Sequence, residues 1–103
     1  MASIVLTADN DGPPSLRATT VAVSGEAFAP GTAVNIGVLQ EAHHAVGHAR
    51  VVVEADGTFA WADLIRPKLA CERSVRAVVH DAKGEAFSAV AALFCPPTPL
   101  TAR

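Results

Sequence analysis

Ala29-Pro30-Gly31-Thr32-Ala33-Val34-Asn35-Ile36-Gly37-Val38-Leu39 sets out a turn and then the strand that leaves it. Pro30 occupies the second turn position and Gly31 the third. This is type II turn chemistry, because glycine takes a positive φ there without steric cost. Val34, Ile36 and Val38 then alternate with Asn35, Gly37 and Leu39, the period of two that marks a strand with one buried face. A turn handing over to an amphipathic strand is the unit from which all-β domains are built.

Working outward, the same unit repeats. Ser3 to Ala8 reads as a first strand with Ile4 and Leu6 on one face, broken by Asp9-Asn10-Asp11-Gly12-Pro13-Pro14. Leu16 to Ser24 reads as a second strand, with Val21 and Val23 facing one way. Beyond the opening stretch, Glu41 to Gly47 reads as a polar loop and His48 to Glu54 as a fourth strand. Asp56-Gly57 is a two-residue hairpin signal. It leads into a fifth strand, Thr58 to Ile65, with Phe59 and Trp61 on one face. Arg66 to Glu72 reads as a loop, and Arg73 to His80 as a sixth strand with Val75, Ala77 and Val79 inward. Asp81-Ala82-Lys83-Gly84 turns the chain into a seventh strand, Glu85 to Phe94, apolar on both faces. Strands at intervals of roughly ten residues predict an all-β, two-sheet Greek-key sandwich of about seven strands. Residues 1–95 form the domain; the tail 96–103 contains Pro96, Pro97 and Pro99, which cannot donate to a ladder. No helix, repeat or second domain is expected.

Composition agrees. The 103 residues allow one core, and with 50% hydrophobic and 17% charged residues the chain is built to fold. A formal charge of −2 without a run of Lys and Arg argues against a nucleic-acid surface. Apolar runs of about eight residues or fewer fall short of a membrane helix. The N-terminus has neither the basic start nor the apolar region of a signal peptide. The chain is therefore expected to act where it is made, or to leave the cell without a leader; an excised domain is the third reading.

Gly25-Glu26-Ala27-Phe28-Ala29-Pro30-Gly31-Thr32-Ala33-Val34 resembles the G-x-x-F-x-P-G-x-x-V opening of bacterial immunoglobulin-like domains from actinobacteria and their phages. Ala55-Asp56-Gly57-Thr58-Phe59 and Asp81-Ala82-Lys83-Gly84 are similar to the later hairpins of those domains. The resemblance implies an immunoglobulin-like sandwich in which Phe28 plugs one end and Phe59 packs into the core. The chain departs from antibody-type domains in having no Tyr and in carrying Trp61 on the fifth strand instead of the third.

Cys71 and Cys95 lie symmetrically about Lys83, so folding the last hairpin would set them opposite each other at its open end. Facing strands can supply disulfide spacing, and a Cys71–Cys95 bridge is predicted. Two buried thiols in a reducing cytosol and a zinc site are the competing readings. His43, His44 and His48, with Glu41 nearby, form the one cluster with metal-ligand character, but a solvated loop explains them and no metal or cofactor is expected. Ser24, Ser74 and Ser88 lack a nucleophile elbow, and Asp63 beside Trp61 reads as an exposed strand-end acid, so no catalytic residue is predicted.

One feature points to binding. Leu39, Val52 and Val78 fall on the faces opposite the inward residues of their strands, and exposed apolar patches often mark contact surfaces. Two functional readings follow. The first is a structural protein of a bacteriophage particle, decorating the capsid or sitting on the tail, whose partners are other virion proteins and, at a tail, the host cell surface. A small homo-oligomer is compatible with it; nucleic acid and membrane are not expected partners. The second is a secreted or surface-displayed bacterial module for adhesion or carbohydrate contact. A small-ligand carrier resembling the chromoprotein antibiotics' sandwich is a weaker third, requiring an apolar cleft that the sequence does not locate.

Overall fold

Alternating burial of β-branched residues organises the chain into strands. The computed structural model describes residues 1–10, 18–40, 44–66, 69 and 74–93. Among them, β1 (Ser3–Asp9), β2 (Thr19–Glu26), β3 (Ala33–Gln40), β4 (His44–Val52), β5 (Phe59–Ile65), β6 (Ser74–His80) and β7 (Ala86–Ala92) form two antiparallel sheets. One sheet has the order β1-β2-β5, the other β4-β3-β6-β7. The expected all-β sandwich is the fold found. Val21 and Val23 of β2 face Val34, Ile36 and Val38 of β3 and Val75, Ala77 and Val79 of β6 in one buried cluster. Removing such side chains from water is the main force joining the sheets, at roughly 1.5–3 kcal/mol for each fully buried Val or Ile.

Two expectations need correction. β4 runs from His44 to Val52, not from His48 to Glu54. β3 continues to Gln40, which pairs with His44, and an irregularity at Val38/Leu39 (Val38 opposite Gly47, Leu39 opposite Ala45) accommodates one extra β4 residue. The polar stretch read as loop is therefore partly strand. Asp56-Gly57 also does not close a two-residue hairpin. The Gly57 N–H donates to the Glu54 carbonyl at 2.9 Å and the Glu54 N–H to the Thr58 carbonyl at 2.8 Å, so three residues form the loop, with Gly57 at φ 84°. After it the chain changes sheets: β5 pairs with β2, not β4. Asp81 to Glu85 repeats the same bonding (Gly84 N–H to Asp81 O, Asp81 N–H to Glu85 O, both 3.0 Å), and there the flanking strands do pair.

The opening turn is as expected. Gly31 has φ 78°, the Thr32 N–H donates to the Ala29 carbonyl at 3.4 Å, and the Gly31 N–H reaches the Val53 carbonyl at 2.9 Å. The Phe28 N–H donates to the Gly57 carbonyl at 3.0 Å, so the two motif loops hold each other. Phe28 is buried there and meets Phe59 of β5 edge-on (centroids 5.2 Å, 76°) and Phe87 of β7 (5.0 Å, 67°). Gly25 completes the arrangement, because a Cβ at that position would lie 2.2 Å from Phe59 Cε2.

Ala27 holds φ 64°, in the left-handed region that costs an L-residue roughly 1–2 kcal/mol. Ala27→Gly is expected to raise the unfolding free energy by about 0.5–1 kcal/mol, the gain being offset partly by the greater freedom of glycine in the unfolded chain. Chemical denaturation checks this; a loss of stability would contradict it.

At the other end of the sandwich a buried polar network fastens residue 69 to the first sheet. Thr19 Oγ1 accepts from the Leu69 N–H at 2.8 Å and donates to Asn10 Oδ1. Asn10 Nδ2 in turn donates to the Leu69 carbonyl at 3.0 Å.

Candidate functional site: the outer face of the four-stranded sheet

Strand pairing places the residues singled out for binding. Leu39 lies opposite Arg76, which lies opposite Val90; Gly37 lies opposite Val78, which lies opposite Ser88. Because side chains alternate, Leu39, Val78 and Val90 share the face directed away from the core, since Val38, Val79 and Ala77 are fully buried. Leu39 and Val78 are diagonal neighbours, as are Val78 and Val90, a relation that spans about 7–8 Å between strands. Leu39 and Val78 are half-buried, whereas Val90 is 58% exposed. Leu39 and Val90 stand on either side of Arg76 with Val78 diagonal to both, so the three form a bent apolar patch across β3, β6 and β7.

Val52 does not join them. It is 61% exposed but pairs with Ala33, six positions from Leu39, or about 20 Å along the strand. Sequence reasoning missed Val90. With β7 apolar on both faces, its alternation could not say which side chains point outward, and only pairing with β6 settles this.

Charge on this face has one sign. Arg50 pairs with Asn35, Asn35 with His80, and His48 with Gly37, so Arg50, Arg76, His48 and His80 lie on the outer side. All four are exposed, and among the described residues no Asp or Glu shares the face. The opposite side of the sandwich, the outer face of β1-β2-β5, carries the acidic Asp9 and Glu26.

Of the remaining candidates, His44 and His48 lie four positions apart on β4, while His43 falls outside the described residues. No group of three metal-ligating side chains occurs among the described residues. Cys71 and Cys95, with their predicted bridge, also lie outside them. Trp61 pairs with Val23 and points inward as expected. Gly47 of β4 faces it, and a Cβ there would sit 3.0 Å from Ile65 Cδ1 and 3.9 Å from the indole. Asp63 is exposed and accepts from the Leu64 N–H at 2.8 Å. Asp56 is held below the usual carboxylate value by the Thr58 hydroxyl and then by the Thr58 N–H, so it braces the turn. Ser24 lies on the outer face of the three-stranded sheet, and Ser74 and Ser88 on that of the four-stranded sheet.

A hollow of about 450 Å³ opens on the outer face of the three-stranded sheet. Its walls come from the start of β1, the end of β2 and the turn before β5, and it was not legible in the sequence. Val5 and Ala60 belong to its apolar lining and Glu26 and Glu54 to its acidic lining.

The chain matches no protein-family model and no curated protein sequence. Its fold is similar to that of macromomycin. The solved structure of that protein superposes with a TM-score of 0.63, covering 91% of this chain and 100% of that one, at 16% sequence identity. At that identity the likeness speaks for the two-sheet sandwich alone.

Proposed function

We propose that the chain is a non-catalytic, immunoglobulin-like binding module of a bacteriophage particle, acting through protein–protein contacts on the capsid or tail. The observation that carries the binding reading is the patch of Leu39, Val78 and Val90 around Arg76, partly exposed and apolar, on a face that also carries Arg50 and has no acidic side chain among its described residues. An apolar patch carrying positive charge suits a partner surface that combines apolar and acidic groups. The sheet orders β1-β2-β5 and β4-β3-β6-β7 are those expected of an immunoglobulin-like Greek key, and the sequence motifs support the phage setting. The buried network of Thr19, Asn10 and Leu69 and the Phe28 plug belong to the scaffold.

Light scattering on the purified chain, followed by titration with empty capsids and tails of the phage that encodes it, tests this reading. Saturable binding in a fixed ratio is expected. A chain that stays free at micromolar concentration overturns the particle reading and leaves the surface-displayed adhesive module to be tested.

A further inference from the structure

The hollow on the three-stranded sheet lies on the opposite side of the sandwich from the proposed contact face. We propose that it is a separate binding site for a small organic cation, an alkylammonium or alkylguanidinium group carried on an apolar stem.

The backbone forms the hollow at one corner of the three-stranded sheet. β2 ends at Glu26, which pairs with Ser3, and Gly25 pairs with Phe59. The turn that places Phe59 also brings Glu54 and Thr58 beside this corner, through the Glu54 N–H to Thr58 carbonyl bond. Two glutamates distant in sequence thus line one depression. Its volume, about 450 Å³, falls within the roughly 300–1,000 Å³ of small-molecule sites.

The lining sets the ligand class. Val5 is 60% exposed and stands beside Ala60 and the short side chain of Ser24, giving an apolar surface for a stem of a few carbons. Among the described residues the Glu26 carboxylate accepts from Ser3 Oγ at 3.5 Å. Glu26 and Glu54 line the depression with no cationic side chain among its described lining. Thr58 Oγ1 donates to Asp56 Oδ1 at 2.6 Å, which leaves its lone pairs to accept from a cation, as the Ser3 and Ser24 hydroxyls also can. Oxygen acceptors beside apolar side chains in one lining match the N–H donors at the end of an alkyl chain. An anion would meet like charge, and an uncharged alkyl chain would leave the carboxylates without a partner.

The test is an amide chemical-shift titration with n-butylguanidinium, run beside n-butanol, which has a stem without charge, and guanidinium, which has charge without a stem. Saturable shifts at Val5, Ser24, Thr58 and Ala60 in the millimolar range are expected for n-butylguanidinium, with both controls weaker. Glu26→Gln/Glu54→Gln is expected to weaken its binding by about tenfold without changing the remaining spectrum, since both residues are exposed. Absence of saturable shifts at these amides, or equal affinity in the glutamine variant, overturns the proposal. Leu39→Glu/Val78→Glu should leave the titration unchanged, which separates this site from the contact face; a loss of probe binding in that variant would also count against a separate site.

Discussion

Phe28→Ala is expected to lower the unfolding free energy by about 3–5 kcal/mol. Phe28 comes from the loop after β2 but meets Phe59 of one sheet and Phe87 of the other, both edge-on at close to 5 Å. Truncation loses the burial of one large ring and two edge-to-face contacts, and it leaves a void between sheets that β2 and β5 cannot close. Gly25 already lets the Phe59 ring approach the β2 backbone as closely as packing allows, so the ring has little room to move toward the gap. Domains of this size are stable by about 5–15 kcal/mol, so the variant is expected to be close to the limit of folding. Phe28→Leu, which keeps most of the volume, should lose less than half as much. Urea denaturation of both variants checks this, and a loss below about 1 kcal/mol for Phe28→Ala would show that the ring does not join the sheets.

Thr19→Val is expected to cost about 2–4 kcal/mol although it keeps the shape of the side chain. Thr19 is fully buried, and its hydroxyl both accepts from the Leu69 N–H and donates to Asn10 Oδ1. A methyl group in its place removes both bonds and leaves a buried amide donor without its acceptor, at about 1–3 kcal/mol for each such group. Thr19→Ser retains the hydroxyl and should lose only the contribution of a methyl, about 1 kcal/mol. Hydrogen exchange at the Leu69 amide is the local readout. Faster exchange in Thr19→Val than in Thr19→Ser is expected, and equal rates would mean the network does not fasten this segment.

The contrast between these two positions shows what was legible in the sequence. Phe28, Gly31 and Phe59 sit in local patterns whose physical demands are local: a positive φ at the third turn position, and apolar residues at a period of two. Those demands predicted the strands of the core, the inward Trp61 and the two-sheet sandwich. Thr19, Asn10 and residue 69 meet only after the chain has crossed between sheets, and no spacing announces that a threonine hydroxyl will bridge the two other groups. The extent of β4 was misread for a similar reason. His44 and Ala45 look like loop residues, and only pairing with Gln40 and Leu39 makes them strand.

The candidate face was half legible. Leu39 and Val78 declared themselves by standing on the wrong side of an amphipathic alternation. Val90 could not, because Ala86-Phe87-Ser88-Ala89-Val90-Ala91-Ala92 is apolar or small at every position. Val52 satisfied the same rule as Leu39 yet lies at the far end of the sheet, since alternation gives the face but not the distance. The gathering of Arg50, Arg76, His48 and His80 on that face depends on the register of β3 with both β4 and β6, which no single strand reveals.

The central claim is that this face is where the protein meets its partner. The direct measurement compares capsid or tail binding by the wild-type chain, by Leu39→Glu/Val78→Glu, and by Thr7→Glu, an exposed substitution on the opposite sheet. The double variant is expected to lose at least about tenfold in affinity with its fold intact, while Thr7→Glu binds as wild type. Undiminished binding by a folded Leu39→Glu/Val78→Glu variant would contradict the account.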